Sequence, residues 1–117
     1  MKRVYIACPI SRGDLDDNIR RARDAMRKLI AAGHSPYNPA LTCFADYPDV
    51  RVPQVVTLGI GYEQWLRVSE AWVGACDAVL RIPGESVGAD AEVELAKSLG
   101  VPVFYFLTDL LVHFEGK

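Results

Sequence analysis

The chain of 117 residues is half hydrophobic, 24% charged and 9% aromatic, enough apolar material for one hydrophobic core and unlike a disordered or fibrous composition. Its formal net charge of −2 provides no global positive field for a nucleic-acid backbone, so no polymer of that kind is expected as a partner. The start at Met1 leads directly into a short apolar strand with neither a leader-like nor a bilayer-spanning stretch, so a cytoplasmic protein without a membrane partner is expected.

Arg3 to Cys8 is a compact β-branched and aromatic run, and Pro9 to Asp17 reads as a loop with acidic residues suited to capping the first helix. From Asn18 to Ala32 the residues Ile19, Ala22, Met26, Leu29 and Ile30 recur at helical spacing, with Gly33 as the stop. Arg20, Arg21, Arg23, Arg27 and Lys28 on this helix are expected to form a solvated face. Ser35 to Asn38 is a short second strand ended by Pro39. The stretch from Ala40 to about Gly61 has no sustained period and carries several Pro and Gly residues, as a substrate cover or a surface insertion would.

Tyr62, Trp65, Leu66, Ser69, Trp72, Val73 and Cys76 share one helical stripe with a single polar intruder, Ser69. Asp77 to Ile82 is a third strand, Pro83 to Val87 a tight loop, and Gly88 to Leu99 a third helix stopped by Gly100. Val101 to Leu107 is a fourth strand. Strands alternating with helices, several apolar on both faces, predict a single α/β domain over residues 1–117. Its architecture is a doubly wound parallel sheet of four to five strands in a flavodoxin- or Rossmann-like three-layer sandwich. Ligands in such folds bind beyond the carboxyl ends of the strands. Trp65 and Trp72 exceed what one side of a small domain needs to bury, which predicts a homodimer through the second helix.

One carboxylate is out of place. Ala89, Glu92, Ala96 and Leu99 align on one face of the third helix, so Glu92 sits on or beside an inward stripe. Placed in a first turn beyond a strand end, it would be kept ionised by the helix dipole, as suits a nucleophile; a helix-start acid satisfying backbone N–H groups would look the same. Glu94 points outward, towards Lys97 or Arg81. The loop Pro83 to Gly88 offers Ser86 and small residues directly before a helix N-terminus, where a phosphate could bind. No Gly-x-Gly-x-x-Gly follows the first strand and no P-loop motif occurs, which demotes dinucleotide and P-loop enzymes. Cys8, Cys43 and Cys76 have no Cys-x-x-Cys pair and read as reduced thiols, and His34 and His113 lack metal-ligand spacing; neither metal nor cofactor is expected.

Val4 to Ser11, Ala75 to Val79 and Ser86 to Ala96, with Gly33 and the Asn38-Pro39 pair, resemble the nucleoside 2-deoxyribosyltransferase superfamily over nearly the whole chain. Tyr62 to Leu66 is similar to a small branch of it. The specific part is the spacing of Ser86, Gly88, Glu92 and Ala96. The resemblance implies that Glu92 attacks the anomeric carbon of a nucleoside or nucleotide sugar, giving a glycosyl-enzyme that water or a second base resolves. It also implies that Tyr5 holds the nucleophile, although a strand aromatic packed under a helix would serve as well. Serine at position 86, where family members acting on free nucleosides carry Asp, points to a 5′-monophosphate. Ser11 and Arg12 fall where the family's first loop meets the phosphate, unless Arg12 is a solvated loop residue. Asn38 faces the ligand or is a turn residue before Pro39.

The chain departs from the family pattern at Ser69, where the resemblance places an Asp that contacts or protonates the leaving base. The position keeps its inward geometry and loses its acid. The expected function is therefore an N-glycosidase acting on a small-molecule nucleotide substrate, with a deoxyribosyltransferase or a non-catalytic nucleotide-binding module as alternatives. The resemblance also implies a homodimer or higher homo-oligomer.

Overall fold

A computed structural model describes residues 1–9, 13–39 and 62–116, with only the backbone at Leu15, Tyr62 and Trp65. The elements run β1 (Arg3–Ala7), α1 (Leu15–Ala31), β2 (Ser35–Tyr37), α2 (Tyr62–Ala75), β3 (Ala78–Arg81), α3 (Val87–Ser98), β4 (Val103–Phe104) and α4 (Leu107–Phe114). All strand pairs are parallel, in the order β2-β1-β3-β4. The predicted doubly wound α/β sheet is present with four strands among the described residues.

Because side chains alternate across a strand, β1 and β3 feed two separate cores. Val4, Ile6, Cys8, Ala78, Leu80 and Ile82 pack against Ala22, Ala25 and Leu29 of α1 and Leu110 and Phe114 of α4. On the other face Tyr5, Ala7 and Val79 meet Val73 of α2, Cys76 just past its end, and Ala89 and Ala96 of α3. Both faces of β1 are closed, and the strand is buried from Val4 through Ala7. The chain leaves β1 towards β2 and later crosses back over β1 to β3, so the direction of winding reverses between β1 and β3. In open parallel sheets ligands bind beyond the carboxyl ends of the strands at such a reversal.

The ends of the helices follow local chemistry. Asp14 caps α1 by accepting from the Asp17 N–H, and Ser86 caps α3 by accepting from the Ala89 N–H at 3.0 Å. Gly33 and Gly100, both at positive φ, turn the chain after α1 and α3 as expected.

Three expectations change. The predicted strand Val101 to Leu107 pairs only at Val103–Phe104, and its end becomes the start of α4. Leu107, Leu110, Leu111 and Phe114 recur at helical spacing, and the face of β3 beside α1 needs that cover. The stripe on α2 is narrower than its sequence implies: Val73 and Cys76 are buried, but Trp72 is 47% exposed and Leu66 and Val68 are exposed as well. Leu99 lies just past α3 and is exposed rather than part of its inward face.

Candidate active site

Glu92 is the sixth residue of α3, in its second turn, rather than in the first turn as expected; Asp90 is the acid of the first turn. The helix dipole therefore does little for it, since that field fades within the first turn. Burial dominates instead. Glu92 is 8% exposed, and loss of water pushes its carboxyl from 4.5 up to about 7. Hydrogen bonds from Tyr5 and Ser69 and the positive charge of Arg81 oppose that rise.

Tyr5 comes from the middle of β1 and is fully buried, so its hydroxyl needs an internal partner. It donates to Glu92 Oε2. Burial first, then the adjacent carboxylate, raise the phenol pKa far above its usual value, so Tyr5 remains a hydrogen-bond donor at any physiological pH. Ser69 on α2 places Oγ 3.4 Å from the Tyr5 hydroxyl and also bonds the Glu92 carboxyl. Tyr5, Ser69 and Glu92 thus meet from β1, α2 and α3. The Tyr5 ring is flanked by Tyr37 of β2, whose ring stacks on Trp72 of α2 with centroids 4.5 Å apart.

At the N-terminus of α3 the Ser86 oxygen is occupied as an acceptor by the cap, which leaves its O–H proton to donate outward. Gly88 is exposed, and a Cβ there would meet only Ser86 Oγ, at 4.0 Å. Neither packing nor a positive φ within the chain calls for glycine at this position. The preceding loop is held by two side chains. Arg21 of α1 donates to the Pro83 carbonyl at 2.7 Å, and Arg81 donates to the carbonyls of Ile82 and of Gly84, the latter at 2.8 Å. Gly84 has φ +131°, and a Cβ on it would fall 2.7 Å from Pro9 Cγ.

Asn38 is buried at the carboxyl end of β2, one residue beyond Tyr37. Ser11, Arg12, Cys43 and the stretch 40–61 lie outside the described residues. Cys8 and Cys76 are buried and in no disulfide, and burial pushes the Cys76 thiol up to about 11, which keeps it protonated. Glu94 pairs with Lys97 at 3.6 Å, whereas Arg81 pairs with Asp90 at 3.0 Å. Among the described residues no group of His, Cys, Asp and Glu could hold a metal ion, and no helix is long and apolar enough to cross a membrane.

Asp77, part of the Ala-Cys-Asp-Ala-Val stretch, sits at the opposite end of the strands. It accepts from the Arg3 N–H at 2.8 Å, while its own N–H donates to the Arg3 carbonyl, so its part is to stitch β3 to β1. Two contributors went unread in the sequence. Arg81 could have been noticed as a charge inside an apolar run, on the face that alternation shares with Val79. Arg21, counted among a solvated run, gives no such signal.

The fold is shared with solved 2-deoxyribosyltransferases and with an N-glycosidase. The chain aligns with a 2-deoxyribosyltransferase from Bacillus psychrosaccharolyticus at TM-score 0.60 and 20% identity, covering 86% of this chain and 69% of that one. A 2-deoxyribosyltransferase from Leishmania mexicana matches at 0.60 and 18%, covering 89% of this chain and 63% of that one, less than two thirds of its length. The CMP N-glycosidase BcmB of Clostridium botulinum matches at 0.57 and 18%, covering 96% and 82%. At such identities the likeness is one of fold. By sequence, residues 2–105 match one family model, and the chain belongs to the family described as a domain of unknown function, DUF4406. No curated protein matches the chain by sequence.

Proposed function

We propose that this protein is an N-glycosidase that releases the base from a nucleoside 5′-monophosphate through a covalent glycosyl-enzyme on Glu92. The observation that carries this reading is the Tyr5–Glu92–Ser69 cluster, with Tyr5 and Glu92 buried, on the α2–α3 face of the sheet. A carboxyl brought to about 7 can supply an oxyanion at neutral pH and leave as a carboxylate, while Tyr5 fixes which oxygen is free to attack.

In the first step a Glu92 carboxylate oxygen bonds to the anomeric carbon as the carbon–nitrogen bond breaks, and the bonding pair leaves with the base, which takes a proton from solvent. In the second step water attacks the same carbon, the ester bond returns its pair to Glu92, and the water's second proton passes to solvent. Free base and sugar phosphate result, with retention at the anomeric carbon. Glu92 stands six positions beyond Ser86 along the helix, about 9 Å of rise, a span suited to a pentose 5-phosphate held at both ends. Ser86 donates its O–H to the phosphate, exposed N–H groups of the first turn add to it, and Gly88 leaves room for its approach. Ser11, Arg12 and Asn38 are proposed to complete the substrate contacts.

Ser69 favours a second reading, in which nucleotide binds without turnover because no acid assists the leaving base. Incubation with a panel of nucleoside 5′-monophosphates separates the two. Chromatography should detect free base with the wild type and none with Glu92→Gln. Binding by calorimetry without base release would establish the second reading, and transfer of the sugar to an added acceptor base would establish a deoxyribosyltransferase. Exposed Leu66, Val68 and Trp72 on α2 support the homodimer expectation, which light scattering at micromolar concentration tests.

A further inference from the structure

We propose that Arg81 is the positioning residue of this site: its guanidinium braces the loop before α3 and holds a fixed positive charge on the Glu92 side of the sheet. The inference rests on the reading of Glu92 as the reacting group, but its test does not require turnover. Arg81 ends β3 opposite Ala7 of β1, on the face that carries Tyr5 and Val79. A buried guanidinium persists only where acceptors replace its water. Here one nitrogen donates to the Ile82 carbonyl, and the other to the Gly84 carbonyl at 2.8 Å and to Asp90 Oδ1 at 3.0 Å. One side chain thereby ties the end of the strand to the loop and to the first turn of α3, the segment that presents Ser86 and Gly88. A lysine could not reach all three from a single point charge, whereas the planar fork can.

The charge of Arg81 is only partly offset by Asp90, its ion-pair partner at 3.0 Å. Two of its acceptors are neutral carbonyls, and its carboxylate partner Asp90 is 73% exposed, whereas the Arg81 side chain is 8% exposed. An ion pair that reaches into solvent is screened on one side only. The groups around Glu92 are Tyr5 from β1, Ser69 from α2 and Arg81 from β3; Tyr37 of β2 lies behind Tyr5. Glu63, Arg67 and Glu70 of α2 and Glu94 of α3 are exposed. Among the described residues Arg81 is the charge that draws the Glu92 carboxyl down against burial.

The test is a ¹³C NMR titration of glutamate side-chain carboxyls in the full chain, with the Glu92 signal assigned by its loss in Glu92→Gln, together with amide exchange at Gly84 to Gly88. In Arg81→Met the Glu92 midpoint should move upward and exchange across the loop should quicken by about tenfold or more, the consequence of losing charge-assisted hydrogen bonds. In Arg81→Lys the charge is retained and the fork is lost, so the midpoint should stay near that of the wild type while exchange quickens. An unchanged Glu92 midpoint in folded Arg81→Met, or unchanged loop exchange in both variants, would overturn the proposal. If Arg81→Met does not fold, Arg81→Lys decides: quickened exchange with the wild-type midpoint supports the brace, and wild-type exchange refutes it. Absence of base release by the wild type would refute the proposed reaction while leaving this titration to judge Arg81.

Discussion

Replacing Glu92 by Gln should stabilise the protein, and by an amount that depends on pH. The unfolded carboxyl titrates near 4.5 and the folded one at about 7, so between these values the native state holds a proton that the unfolded state has lost. Folding stability therefore falls as pH rises through that window and levels off above it. Carrying the carboxyl up by that amount makes ionised Glu92 cost the fold about 3 kcal/mol at alkaline pH, and nothing below pH 4.5, where both states are protonated. Gln keeps the contacts, because its carbonyl accepts from the Tyr5 hydroxyl and its N–H₂ can donate to Ser69 Oγ. It carries no charge to desolvate. For a domain of this size the gain corresponds to roughly 10 °C in Tm at pH 8.5, dwindling to about zero at pH 4.5. Urea unfolding of both proteins at pH 4.5, 6 and 8.5 measures it. A difference independent of pH, or a Gln variant less stable than the wild type at pH 8.5, would refute the burial argument. The same variant should release no base.

Tyr5→Phe removes the donor that stabilises the carboxylate, so the Glu92 midpoint should rise. Loss of this donor to a buried carboxyl should also cost about 1–3 kcal/mol in denaturant unfolding. In the wild type, kcat/KM should climb as pH passes through about 7 and then level off, because the nucleophile must be ionised; a flat profile from pH 5 to 9 would assign the reaction elsewhere. Ser86→Asp separates phosphate recognition from folding, since Asp caps a helix as well as Ser does. Stability should change by under about 0.5 kcal/mol while monophosphate affinity falls far more than nucleoside affinity, and equal loss in calorimetry would refute it. Gly84→Ala meets both a positive φ and Pro9 Cγ at 2.7 Å, and should destabilise by about 1–3 kcal/mol; wild-type Tm would show that the loop relaxes freely.

Local regularities determined a good part of this protein. Runs such as Val4 to Ala7 and Ala78 to Leu80 are apolar at every position, which demands a sheet covered on both faces. Glycine at 33 and 100 ends two helices because only residues that tolerate positive φ turn the chain there. Glu92 was visible because a carboxylate on an inward stripe breaks a pattern of period 3.6. The fourth helix was hidden for a related reason: Val101 to Leu107 has the β-branched and aromatic content of a strand, and a local pattern does not register that β4 has a partner on one side only among the described residues, or that Leu110 and Phe114 are needed over β3.

Tertiary structure alone decided the chemistry of the site. Ser69 and Glu92 stand 64 and 87 residues from Tyr5 along the chain, and no spacing rule connects a strand, a helix and another helix across such distances. The ionisation of Glu92 was expected from its position on a helix and is set instead by water excluded from between β1, α2 and α3. Arg81 and Arg21 act through carbonyls that come within reach only once the loop has folded. Secondary structure arises from forces that act over a few residues, whereas a proton affinity depends on everything within several ångströms in space, and the fold alone determines what that is.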